Sequence, residues 1–154
     1  MRIMQSTKAL ALAALATQLF AGGFGLQLVD PEANPEARSG HAKLVVVAMG
    51  CHMPTKAEVT GTAIGTVDGT RRAIPLKMIA LTATGAYAVT QQWPSEGRWV
   101  LEFVAGSGAV VASVVVGADG SNVQRTDARY FSHRPTIEEV DSVLNRADVR
   151  AAKL

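Results

Sequence analysis

The stretch from Gly85 to Ala105, GAYAVTQQWPSEGRWVLEFVA, constrains the fold more than any other part of the chain. Two alternating runs flank a turn, and three of the four tryptophan and tyrosine residues lie within it. In the second run Trp99, Leu101 and Phe103 fall on one face, with Arg98 and Glu102 on the other, the period-two pattern of a half-buried strand. Tyr87 and Val89 supply the matching face of the first run. Pro94-Ser95-Glu96-Gly97 reads as a turn, because proline presets φ and glycine accepts the closing conformation. The expectation is a β-hairpin at the heart of an all-β domain, with Tyr87, Trp99 and Phe103 in the core and Trp93 exposed beside the turn, where it could meet a partner.

The flanking segments carry the same signals. AKLVVVAM, ending at Met49, is a β-branched run suited to a strand buried on both faces, with Met49 expected in the core. Residues 57–67 lead into Asp68-Gly69, a dipeptide favoured in two-residue hairpins, and residues 71–81 return. On that return Ile74, Leu76 and Met78 share a face, and Pro75 argues for a sheet edge. AVVASVVV, residues 109–116, is apolar on both faces and reads as a central strand; Asp119-Gly120 then turns into a more exposed last strand ending at Phe131. The spacing predicts an antiparallel immunoglobulin-like β-sandwich of about seven strands over residues 41–131. Thr136 and Glu139 stand as N-cap and third helical residue of a capping box. A C-terminal helix within 132–154, striped by Val140, Val143 and Leu144, should pack on the domain or bind a partner.

The chain begins differently. Arg2 and Lys8 precede an Ala/Leu-rich run from Ala9 to Phe20, followed by Ala21, Gly22 and Gly23, the layout of a secretory signal peptide over residues 1–23. The alternative is a membrane-anchored helix whose apolar stretch extends to Val29, and membrane association is expected only if the leader stays uncleaved. Residues 24–40 read as a flexible linker, since Asp30 to Gly40, DPEANPEARSG, has two prolines, three acids and no large apolar side chain and so buries little surface. Setting aside Arg2 and Lys8 leaves 13 basic against 13 acidic residues, so no basic stripe recommends a nucleic-acid partner. The localisation that follows is periplasmic or secreted.

One segment is chemically provocative. Cys51, His52 and Met53, with Met49 just before them, are soft or borderline ligands of the kind that suit Cu(I). Neighbouring residues of an extended chain point to opposite sides, so a metal site here needs a remote ligand, for which His41 and His133 are the candidates. The alternative is a small apolar thiol beside a solvated histidine. A lone cysteine excludes an internal disulfide. No G-x-S-x-G, zinc motif or paired helical carboxylates point to an enzyme. Arg71, Arg72 and Lys77 read as solvated strand ends before an anion site.

Gly85, Tyr87 and Val89, the Trp93-Pro94 turn, and Gly97, Trp99 and Leu101 together resemble the closing half of YtkA-like domains, exported bacterial β-sandwiches related in style to copper-handling proteins. The resemblance covers about twenty residues. It implies an extracytoplasmic immunoglobulin-like module without known catalysis, sometimes near metal or respiratory functions. The function expected is an exported, non-catalytic binding or accessory module, with an envelope protein as partner and no cofactor; the alternative is a periplasmic copper-binding protein using Cys51, His52 and Met53.

Overall fold

A computed structural model describes residues 23–50, 57–107 and 109–151. Residues 1–22, nearly all of the segment expected to be a signal peptide, and the Cys51, His52 and Met53 segment lie outside them. Two antiparallel sheets face each other. The first has the order β1 (Gly25–Val29), β2 (Leu44–Met49), β6 (Ala86–Val89), β5 (Ile79–Ala80). The second runs β10 (Arg129–Phe131), β8 (Val110–Asp119), β7 (Arg98–Ser107), β3 (Glu58–Val67), β4 (Thr70–Leu76), with β9 (Asn122–Val123) also paired to β8. With β1, β2, β6 and β5 as strands A, B, E and D, and β4, β3, β7 and β8 as C′, C, F and G, this is the strand order of an immunoglobulin sandwich. The fold is all-β with one C-terminal helix, α2 (Ile137–Ala151), as the alternation predicts.

The core explains why β3 and β7 lie side by side. The inward face of β7 carries Trp99, Leu101 and Phe103, all essentially buried. Directly opposite on β3 stand Gly65, Ala63 and Gly61. A Cβ at Gly65 would lie 2.6 Å from the Trp99 ring, and one at Gly61 would lie 2.9 Å from the Phe103 ring. Each ring therefore rests on bare backbone, and the small residues of β3 are the complement of the large ones on β7. The Asp68-Gly69 turn joining β3 to β4 has φ of 49° and 75°, the doubly positive geometry of a type I′ hairpin. Pro75 sits on β4, an edge strand, where its missing N–H costs nothing.

The expected hairpin between residues 85 and 105 does not form. β6 pairs with β2 and β5 in the first sheet, whereas β7 pairs with β3 and β8 in the second. Both runs point their alternating apolar side chains into one core, but from opposite walls, and residues 90–97 cross between the sheets. Trp93 is not an exposed ring: it is 3% accessible, and its Nε1 donates to the Gly120 carbonyl at 2.8 Å. A buried indole closes the end of the sandwich where the turn residues alone suggested a reversal.

The return strand expected over residues 71–81 also divides. β4 ends at Leu76 in the second sheet, and β5 starts at Ile79 in the first. Gln92 holds the switch, its Oε1 accepting from Lys77 N at 2.7 Å and its Nε2 donating to Lys77 O at 3.0 Å. One side-chain amide thus satisfies both main-chain groups of the residue that has left one ladder before joining the next. The last strand likewise breaks into β9 and β10 around a short 3₁₀ turn at Arg125–Asp127.

Residues 24–40 are not a linker. β1 pairs through all five residues with β2, from Gly25 opposite Met49 to Val29 opposite Val45. Asp30 accepts from Glu32 N and caps a 3₁₀ turn, Pro31–Ala33; Asn34 accepts from Glu36 N and Ala37 N and caps the short helix α1, Pro35–Ser39. The acids and prolines that suggested disorder are N-caps and first-turn residues. They lay Ala37, 1% accessible, on the outer face of the first sheet with Ala42, Val45, Ala86 and Ala88. Residues 24–40 therefore belong to the domain, which does not start at His41. Arg125 Nη2 also meets Asp30 Oδ2 at 2.5 Å, tying this segment to the loop before β10.

The outer face of the second sheet is covered by α2, whose Val140, Val143 and Leu144 pack on Val100, Val115, Ile64 and Phe131. This is why β8 reads as apolar on both faces. The capping box forms as expected: Glu139 N donates to Thr136 Oγ1 at 3.2 Å, and Thr136 N donates to Glu139 Oε2 at 2.8 Å. That N–H, aided by His133, holds the Glu139 carboxyl below its ordinary value despite some desolvation.

Gly65→Ala should lower stability by about 1–3 kcal/mol, the usual effect of overpacking a filled core. Gly106→Ala, where an added Cβ meets nothing within 4 Å, should stay within about 0.5 kcal/mol. Urea unfolding midpoints of the two variants separate these outcomes.

Candidate functional site: an apolar cleft at the open seam

The two sheets do not close evenly along the side bounded by β1 and β10. β10 pairs with β8 only from Val115 to Ser113, and β9 only at Ala118 and Asp119. Among the described residues, the first three residues of β8, Val110, Val111 and Ala112, have β7 on one side and no strand on the other. A cleft of about 640 Å³ opens there, lined by residues 23–26, 109–113 and 130–132. Its walls come from the start of β1, the start of β8, and β10.

The strand period explains the lining. Ala112, Val114 and Val116 face the core, so Val110 lies on the same face at the rim. Leu26 faces the core from β1, and Phe24, two residues earlier, packs partly against the same cluster. Tyr130, opposite Val114 across the β8–β10 ladder, completes the outer wall. The cleft is the mouth of the hydrophobic core, left open because β10 is three residues long. Val110 is 52% accessible and Tyr130 43%. Met49 lies at the same end of the molecule, paired with Gly25, and is 39% accessible, not part of the core as its alternation with Val47 suggested. Val45, Val47 and Met49 share the outer face of β2; Val45 and Val47 pack with the cluster that holds Ala37, whereas Met49 lies beyond it.

The sequence-selected ligands fall around this geometry unevenly. Cys51, His52 and Met53 lie outside the described residues; the chain leaves at Gly50, where an added Cβ would stand 3.3 Å from the Phe24 ring, and returns at buried Ala57. His41 precedes β2 and Met49 ends it, so the six residues of the strand alone put roughly 17 Å between them. His41 does not join Met49. His133 sits past β10, toward the cleft end, but its Nε2 lies 3.1 Å from the Glu139 carboxylate and its ring tilts against Phe131. Among the described residues, no three His, Cys, Asp or Glu side chains gather as a metal-binding group. Arg71 pairs with Asp141 of α2 at 2.5 Å and serves to seat the helix.

The chain matches no protein-family model, no curated protein and no solved structure.

One acid stands apart electrostatically. Glu102 projects from β7 on the face that α2 covers, and burial pushes its carboxyl above its ordinary value, with the charge of Arg134 opposing in part. The folded state therefore holds the Glu102 proton more tightly than the unfolded chain does. This favours folding at pH below the unfolded carboxyl value and is lost as pH rises through the raised one. Glu102→Gln should accordingly raise the melting temperature at pH 7, and the gain should vanish below about pH 4, where both forms are neutral. Thermal melts across that range, with no convergence at low pH, would contradict the assignment.

The sequence carried one usable signal for the cleft: Phe24, Leu26 and Leu28 alternate immediately after the leader, a strand pattern that the apolar leader and the acidic stretch on either side obscured. The short pairing of β10 had no comparable signal: the polar run Gln124 to Asp127 marks an exposed break but not how little of β8 the chain pairs with afterwards.

Proposed function

We propose that this domain is an exported, non-catalytic binding module, and that its cleft receives an extended, apolar segment of an envelope protein. The observation that carries this reading is the coincidence, along residues 110–112, of a main-chain edge with no strand beside it among the described residues and an apolar cleft. An added strand gains affinity from ladder hydrogen bonds and specificity from the pockets that take alternate side chains. An open, apolar sheet edge is otherwise a liability that folds cover with a strand, a charge or a proline, and among the described residues Val110 and Val111 have none of those beside them.

Export is supported by the leader and by β1 together. Because Gly25–Val29 is committed to the first sheet, the apolar run ahead of it extends only from Ala9 to Phe24. Sixteen residues fall short of the roughly 20 needed to span a bilayer as a helix, and suit the core of a signal peptide. Among the described residues no helix is long and apolar enough to cross a membrane. The resemblance to YtkA-like domains agrees with a periplasmic or secreted module.

Photocrosslinking in the native envelope tests the proposal. A photoreactive residue at Tyr130 should give a protein adduct of one defined mass, and Val110→Asp in the same chain should abolish it. The same label at Asp68, at the far end of β3, should give none. Equal adducts from both positions, or a free monomer from Tyr130, would remove the cleft as a partner site.

A second reading, copper binding through Cys51, His52 and Met53, is favoured by the exposure of Met49, a fourth soft ligand next to that segment. Anaerobic Cu(I) titration should then show affinity that falls at least about tenfold in Cys51→Ala/His52→Ala. Unchanged affinity ends this reading.

A further inference from the structure

The sheet edge at the cleft specifies its occupant more closely than an apolar surface alone does. The register of β8 with β7 runs unbroken from Val110 opposite Ser107 to Asp119 opposite Arg98, so the main-chain groups of successive residues turn alternately toward β7 and away from it. Gln124 N donates to the Gly117 carbonyl at 2.9 Å, which fixes Gly117 as a residue that turns away. Counting back by twos, Val115 and Ser113 turn the same way and stand opposite Arg129 and Phe131 of β10. Val111 is next in this series, and among the described residues no strand lies opposite it on that side. Of residues 110–112, only Val111 therefore offers its N–H and C=O to a partner, while Val110 and Ala112 direct theirs to β7. The chain beyond β10 does not take this place: buried Ser113 donates through Oγ to the His133 carbonyl at 2.5 Å, which draws the residues after Ser132 over the outer face of β8 toward α2. Side chains sort by the same period. Val111 shares the outer face with Ser113 and Val115, whereas Val110 and Ala112 face the cleft and the core. The described residues that line the cleft, 23–26, 109–113 and 130–132, include no charged side chain.

We infer that the cleft reads a three-residue extended segment, apolar at its first and third positions and open to any residue but proline at its second, aligned antiparallel to β8. A strand that extends the line of β10 keeps the direction of β10, which sets this alignment. The middle residue stands opposite Val111 and exchanges two main-chain hydrogen bonds with it, so its side chain points outward and is not selected. Proline there lacks the N–H that the Val111 carbonyl accepts. The first and third residues stand opposite Ala112 and Val110 and turn into the cleft, on the same face as Tyr130. A charge at either of these positions would lose water and find no opposite charge in the lining. This inference rests on the cleft being a binding site, and adds to that reading the sequence class and the direction of the partner segment.

The test titrates the isotope-labelled full chain with a capped pentapeptide, Ser-Leu-Thr-Leu-Ser, and follows the amide resonance of Val111. Methylating the threonine nitrogen should weaken binding at least about fivefold, the loss of one hydrogen bond with its partner left unpaired. Aspartate in place of either leucine should weaken it at least about tenfold. Lysine in place of the threonine should change it by no more than about twofold, as for a solvated position. On the protein side, Val111→Pro removes the N–H at the free edge and no bond to β7, so it should abolish binding in a chain whose melting temperature shows it folded. The peptide series gives the answer should that variant not fold. Weakening by N-methylation of the second leucine instead of the threonine means a parallel alignment and overturns the inference, as does a threonine-to-lysine effect larger than that of leucine to aspartate. If no peptide binds while the Tyr130 adduct persists, the sequence class is overturned and the cleft stands as a partner site. If both are missing, the inference and the cleft reading fall together.

Discussion

The seating of two aromatic rings on two glycines is the contact on which the rest of this sandwich depends. Trp99 and Phe103 of β7 lie against Gly65 and Gly61 of β3, with no room for a Cβ at either position. Once β3 and β7 are held together this closely, β4 follows through its tight turn on one side and β8 through its ten-residue ladder on the other. The inward residues of β8 then meet Leu26, Leu44, Val46 and Val89 from the first sheet in one continuous cluster. Large residues on one strand and none on its neighbour give this pairing a register that a uniform Val/Leu surface would leave to compete with slipped alternatives.

How far the fold can be read without coordinates follows from this. Alternation places Trp99, Leu101, Phe103, Tyr87 and Val89 toward one interior correctly, because side-chain period is a local property. It does not say which wall of the interior each strand belongs to. The hairpin expected between β6 and β7 failed on that point, since Pro94 and Gly97 supply turn conformations equally to a reversal and to a crossing. The deciding contact, Trp93 donating to Gly120, joins residues 27 apart and has no local signature. The stretch from Asp30 to Gly40 misled in another way: composition treats aspartate, asparagine and proline as solvating, whereas Asp30-Pro31 and Asn34-Pro35 act by position as cap and first residue. The capping box of α2 and the Asp68-Gly69 turn were legible because their spacing is itself the mechanism.

The cleft was the least legible feature, and for a physical reason. It arises from a mismatch of lengths, ten residues in β8 against three in β10, and mismatch belongs to a pair of strands rather than to either sequence. Met49, exposed at the end of β2, and the surface that looks most receptive, Val110 with Tyr130, lie at the end of the described molecule where β1 starts. The opposite end is sealed by Trp93 and the Gly120 turn.

The clasp between Asp30 and Arg125 spans 95 residues, and β1 rests against β8, which lies more than eighty residues later in the chain. The first strand to emerge therefore has its full set of neighbours only when nearly all of the chain has followed. Until then the rings of β7 and the apolar faces of β8 are missing, and no early portion of the sequence can close a core of its own. Non-local closure of this kind slows folding and favours completion late over completion in stages. A chain built this way stays without a closed core until β8 has been made.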